Sequence, residues 1–237
     1  MQQMHNITLV ATIHTETGQC NPDELYKILE SINPDVIFDE LPLHFAEMYF
    51  SDSFELYCAN KIFQNQPAPI VPLEVKCIKK YIKNHNVEIV PVDIDIRKRL
   101  AEHQQEFFSL FQIFYAHEAY IKLDAEKDAL IAKEGFPFLN SDKFSAFLEK
   151  KEALEKSIME SETQRDGLFE IYQLFHAENC DNRENKMLEN IYNYSKTNQY
   201  YRAVFLVGAQ HKKSMMGKIE AFEKDSGVKL KWTMYGD

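Results

Sequence analysis

Glycine and proline are scarce in this 237-residue chain, seven and eight residues. So few breakers exclude a loop-rich or low-complexity protein and favour long regular elements. Cysteine is equally sparse: Cys20, Cys58, Cys77 and Cys180 stand far apart, with no CxxC pair. That spacing excludes a zinc ribbon and leaves ordinary packing or surface thiols. Basic charge is short as well, with 27 Lys plus Arg against 37 Asp plus Glu and a formal net charge of −10. Nucleic acid and anionic membrane are thereby set aside as main partners, because neither is attracted to an acidic surface. Long apolar runs are missing too. The stretch from Ile7 to Ile13 has no basic lead-in and is too short for a signal-peptide core or a bilayer span. A cytoplasmic chain kept whole is the expectation.

What is present can bury a sizeable core, since 45% of residues are hydrophobic and 27% charged. One domain over 1–237 accounts for the length. Ile7 to Ile13 is a β-branched and aliphatic run without a helical stripe, as in a strand covered on both faces, and it ends at His14. Asn21-Pro22-Asp23-Glu24 supplies a cap, a first-turn proline and early acids, and Leu25, Ile28, Leu29 and Ile32 then recur at helical spacing. Asn33-Pro34 stops that helix, and a short strand runs into Asp39 and Glu40 before the breaker Pro42. Strand, helix and strand in this compass form a parallel βαβ unit. A helix over Leu73 to Lys83 and a strand from Val87 to Asp93 extend the pattern.

From about 97 to 180 no strand pattern exists, and three helices fit: one dense in Phe107, Phe108, Leu110, Phe111, Ile113, Phe114 and Tyr115, one from Ser141, and one around Leu168 to Phe175. This is a long helical insertion over the sheet. Its first helix is apolar nearly all round, which implies burial on several sides or a partner surface such as a homodimer. Asp181 with Glu184 then reads as a capping box, Ala203 to Val207 as a strand running into Gly208-Ala-Gln-His211, and Lys212 to Glu223 as a helix. Val228, Leu230, Trp232 and Met234 alternate with polar residues as in a C-terminal edge strand with one wet face. The fold class is therefore α/β, a central, mostly parallel sheet flanked by helices.

Four strands end in His14, in Asp39 and Glu40, in Asp93, and in Gly208 to His211. Ligands of open parallel sheets bind outside these carboxyl ends, so four local features become one candidate site. Alternation turns Asp39 and Glu40 to opposite sides, with Glu40 the partner of the histidines and Asp39 in support. Gly208 permits a sharp turn and close backbone approach. His211 stands near a helix start, where the dipole disfavours its charged form. Arg183, in the first turn of its predicted helix, is opposed by the same kind of dipole, and a salt bridge to a surface acid, or a contact to a site carboxylate or developing oxyanion, would explain it. Asp93 could ligate a metal, orient a histidine or cap, with orienting ranked first. His85, His117 and His176 are read as surface or packing residues.

Val10 to His14, Pro34 to Leu41, Val90 to Asp93, Arg183 to Met187 and Val207 to His211 together resemble the successive motifs of the TraB/PrgY/Tiki proteins, which are grouped with erythromycin esterases and haem-binding ChaN proteins. Order and spacing fit, over the two ends of the chain. Of two GxxH motifs, the second is intact at Gly208 to His211, and the first reads Ala11-Thr-Ile-His14 with alanine for glycine. The resemblance implies an α/β fold with both histidines facing a central site, and a metal-dependent protease, a histidine-based esterase, or iron or haem handling.

The leading expectation is a hydrolase of a small molecule or peptide. His14, Glu40 and His211 would hold a divalent metal (Mn, Zn or Co) or activate water directly, with Arg183 on the oxyanion. The alternative is a binding protein for peptide, metal or haem in the same cleft, with Tyr115 and His117 as axial candidates. No HExxH or GxSxG is present to support the common protease and α/β-hydrolase mechanisms.

Overall fold

The computed structural model describes residues 5–44, 51, 71–96, 101–162 and 167–236. Cys58 and the start of the insertion at Arg97 lie outside these. The apolar runs form β1 (His5–Thr12), β2 (Val36–Pro42), β3 (Glu88–Asp93), β4 (Arg202–Gly208) and β5 (Leu230–Met234). All five belong to one sheet of order β3-β2-β4-β1-β5, and every pairing is parallel. The helices are α1 (Pro22–Ile32), α2 (Leu73–Tyr81), α3 (Gln104–Ala116), α4 (Glu118–Glu134), α5 (Phe136–Leu139), α6 (Asp142–Ser161), α7 (Leu168–His176), α8 (Asn182–Thr197) and α9 (Lys212–Ser226).

Such a sheet must be covered on both faces, and period-2 alternation divides its side chains between two cores. Val10, Ile37, Val204 and Leu206 pack with Leu25, Ile28 and Leu29 of α1 and Val75 and Ile78 of α2. Ile7, Leu9, Phe38, Phe205 and Val207 pack with Met187 and Ile191 of α8 and Met215 of α9 on the opposite face. β4, late in the chain, lies between β1 and β2. β1 and β2 therefore hand the chain to helices on one face, whereas their shared neighbour β4 hands it to α9 on the other. The crevice at the carboxyl ends beside β4 is the topological switch point, where open α/β sheets bind ligands.

Local signals explain most elements. Asn21 caps α1 by accepting from the Asp23 and Glu24 N–H groups, and Asn33 ends it in the left-handed region at φ 48°. Ser141 caps α6. Pro42 does not break β2 but ends it, paired with Asp93 after a register shift. β5 is an edge strand, with Leu230 buried and Lys231 and Thr233 exposed.

The insertion is richer than the three helices expected, since described residues 101–181 hold five, α4 among the additions. α3 is not buried all round: Phe107, Leu110, Ile113 and Phe114 are buried, while Phe108, Phe111 and Tyr115 are exposed. The capping box does not form. α7 runs through a π-helical turn, Ala177–Asp181, straight into α8, and Asp181 is helical with no capping hydrogen bond from its side chain. Arg183 thus stands inside a continuous helix, and the dipole argument lapses. Among the described residues no helix is long and apolar enough to cross a membrane.

Candidate functional site

Alternation sends Asp39 and Glu40 to opposite faces of β2. Glu40 follows Val36 and Phe38 toward α8, whereas Asp39 shares the side of Ile37 and Leu41. Glu40 is buried at the switch point, and both of its oxygens are engaged. Arg183 Nη2 donates to Oε1, and the Gly208 backbone N–H donates to Oε2 at 2.5 Å. Burial opposes the ionised form, but the Arg183 charge, the neighbouring His211 and His14 rings and the Gly208 N–H prevail and hold the Glu40 pKa at about 2.

Gly208 itself has an ordinary φ of −53°, so a sharp turn is not its reason. Close approach is: a Cβ there would sit 3.2 Å from Glu40 Oε2 and 3.6 Å from His211 Cδ2.

Arg183 also donates from Nε to Asp93 Oδ2 at 3.0 Å and from Nη2 to the same oxygen at 2.6 Å, while Nη1 reaches Asn179 at 3.4 Å. Its guanidinium is thus shared between two carboxylates rather than left for an oxyanion. Asp93 orients this arginine and caps the Ile94 N–H at 2.7 Å; it does not orient a histidine. Burial raises the Asp93 pKa in spite of Arg183.

Glu184 takes that orienting role. Its Oε1 lies 2.8 Å from His211 Nδ1, and its Oε2 accepts from Ser214 at 2.5 Å and Lys218 at 2.7 Å. Burial raises its pKa, but these hydrogen bonds outweigh it and hold Glu184 low, so the carboxylate can only accept and His211 Nδ1 carries the proton. Nε2 then points toward Glu40 Oε1 at 3.6 Å and the Gln210 amide nitrogen at 3.3 Å. The ring is fully buried, and the exposed Gln210 side chain covers it.

His14 sits just past β1, on the strand next to β4, with its side chain 44% exposed. Its Nδ1 lies 3.3 Å from buried Glu74, which also accepts from Thr12 at 2.6 Å. Desolvation lowers the His14 pKa, but Glu74 and then Glu40 overcome it and raise it to about 9, so the ring is an imidazolium at neutral pH. The histidines occupy adjacent strand ends, and Glu40 feels both.

These partners do not fit a metal held by His14, Glu40 and His211. Arg183 and the Gly208 N–H occupy both Glu40 oxygens, and His14 is held as a cation. Cys180, read from sequence as a packing thiol, joins Glu184 and His211 in a second donor group whose atoms all lie within 4.8 Å. A divalent cation there would have to displace Lys218 from Glu184 and the proton from a thiol whose pKa burial pushes to about 12. For haem, the Tyr115 hydroxyl is committed to Asp124 at 2.8 Å, and burial and that carboxylate raise its pKa, opposing a phenolate ligand. His117 faces Glu162 at 3.7 Å.

Sequence reasoning missed Glu184, assigned instead to a cap, along with Glu74, Lys218 and Gln210. An acid one residue beyond Arg183 was the available signal. No protein-family model matches this chain and no curated protein matches it significantly, so what the site can do follows from its own geometry.

Proposed function

We propose that the chain is a metal-independent hydrolase, esterase-like, in which the Glu184–His211 pair is the general base and the His14 imidazolium supplies positive charge to the developing oxyanion. The observation that carries this is the Glu184 carboxylate on His211 Nδ1, which fixes the tautomer that leaves Nε2 to take a proton from water. Water, deprotonated at Nε2, attacks the ester carbonyl carbon; the tetrahedral oxyanion is stabilised by His14, and the leaving alcohol recovers the proton from His211. Glu40 and Arg183 hold the strand ends in register around this pair. The resemblance to TraB/Tiki proteins and erythromycin esterases supports the same class. Rotation of the Gln210 side chain admits the substrate to Nε2.

The test is hydrolysis of a panel of p-nitrophenyl esters and peptides. His211→Ala lowers kcat/KM by about a hundredfold or more and Glu184→Gln by roughly tenfold or more, with circular dichroism unchanged. Chelator treatment leaves the rate unaltered. A His211→Ala variant as active as the parent would sink the hydrolase reading. One observation favours a second reading, a binding protein without turnover: the His211 ring has no exposure at all. That reading predicts ligand-dependent rises in Tm with no hydrolysis by the parent.

A further inference from the structure

A cavity of about 590 Å³ opens between α3, α6, α7 and α9, within the range of small-molecule sites. Leu110, Phe111, Phe114 and Phe175 form an apolar, largely aromatic wall, and Cys180, Glu184, Gln210 and Ser214 also line the cavity, Glu184 and Gln210 in contact with His211. Tyr172, His176, Cys180 and Glu184 recur every four residues along the continuous α7–α8 helix and all line it, giving a track from the aromatic wall to the Glu184–His211 pair.

Two features of the lining define the ligand. Its acids are already matched: Glu155 with Lys151 at 3.0 Å, Glu152 with Lys156 at 2.6 Å, Glu149 with Lys213, and Asp181 and Glu184 with Lys218. A charged ligand would find no uncompensated partner. His176, by contrast, has no hydrogen-bond partner among the described residues, and desolvation lowers its pKa, so it offers a neutral imidazole in the middle of the aromatic wall.

We infer that this cavity binds an uncharged, ring-bearing or branched apolar molecule with a carbonyl or hydroxyl group facing His176. Resting on the hydrolase reading, it is the pocket for the apolar part of an uncharged ester whose scissile bond lies toward Gln210 and His211.

Prodan, a neutral aromatic ketone, is the probe, and the anionic anilinonaphthalene sulfonate is its charged counterpart. The full chain binds one prodan saturably with a blue shift and binds the sulfonate about tenfold more weakly. Gly217 lines the cavity, and a Cβ there meets nothing within 4 Å, so Gly217→Trp fills the mouth without disturbing α9 and weakens prodan about tenfold. His176→Leu weakens it about fivefold, the loss of one hydrogen bond. Leu148→Trp is the second blocking variant should the first misfold. Equal binding of both probes, or folded Gly217→Trp and His176→Leu proteins that bind prodan like the parent, would overturn the proposal. Prodan binding as expected with no ester hydrolysed leaves the pocket standing and removes only the hydrolase reading.

Discussion

Arg183 carries one positive charge against two buried carboxylates, and the distribution of that charge decides what each residue does. Glu40 has Arg183, the Gly208 N–H and two histidines on its side and is ionised down to about pH 2. Asp93 has only the remainder of Arg183 and the Ile94 N–H, and burial wins there. Removing Glu40 leaves Arg183 half-compensated in a site where its side chain is only 12% exposed. Breaking such a pair costs roughly 3–5 kcal/mol, so Glu40→Ala should lower the urea midpoint by an amount corresponding to about 3 kcal/mol. Glu40→Asp, which keeps the charge but is too short for both contacts, should recover only part of it. An Ala variant as stable as the parent would show that the network adds nothing net to folding. The direction of Glu40 was legible because alternation along a strand is strict; a contact from Arg183 to a site carboxylate was legible too, but which carboxylate was not, because Arg183 lies 143 positions from Glu40 and a single sequence carries no distance information.

Among elements, the insertion joins the sheet through a shared apolar core that includes Phe136, Leu139 and Val10, and one side chain supplies the polar contact to β1. β5 pairs β1 as far as Leu9 opposite Met234, and Tyr235 N–H then donates to Leu9 O at 2.9 Å. Beyond that point no strand among the described residues lies beside Ala11 on that edge. Asn140, between α5 and α6, replaces the strand: its Oδ1 accepts from Ala11 N–H at 2.8 Å, and its Nδ2 donates to Ala11 O at 3.0 Å and Phe136 O at 2.9 Å. Lys212, the first residue of α9, donates to the Asn140 carbonyl. Asn140→Ala leaves two buried groups of Ala11 unsatisfied, each worth about 1–3 kcal/mol. The expected outcome is a loss of about 2 kcal/mol or more, with amide exchange at Ala11 accelerated while that at Phe205 is little changed. Uniform acceleration across the sheet would contradict this local role.

Elements set by short-range chemistry, such as α1 with its Asn21 cap, could be read directly. α4 could not, because its apolar positions make no strong stripe, and neither could the π-turn, where Asp181 and Glu184 imitate a helix start inside a continuous helix. Glu184 consequently passed for a capping residue, although its carboxylate faces His211.

Over the whole molecule, the charged groups at the switch point give stability two pH limits of opposite sign. Glu40 titrates near its ordinary 4.5 when unfolded and at about 2 when folded, so its contribution is present above about 4.5 and is lost as pH falls toward 2. Glu184 is lowered as well and acts in the same direction. Asp93 is raised and works against them. His14 has the other sign: raised from 6.5 to about 9, its contribution is complete below 6.5 and is lost as pH rises through 9. His176, lowered by desolvation in spite of the acids Glu155 and Glu152, penalises folding at acid pH; that penalty is relieved as pH rises to 6.5, below the His14 limb.

The difference between parent and His14→Gln unfolding free energies from pH 6 to 10 separates the two, since the His176 term is common to both proteins and cancels. That difference should be largest at pH 6, shrink through 7 and 8, and level off above 9. A difference that stays constant with pH would mean that Glu74 does not hold His14 as an imidazolium, and the proposed oxyanion role of His14 would fall with it. Its exposure tempers the size of the effect without changing the sign, because solvent screens the Glu74 contact on the open side of the ring.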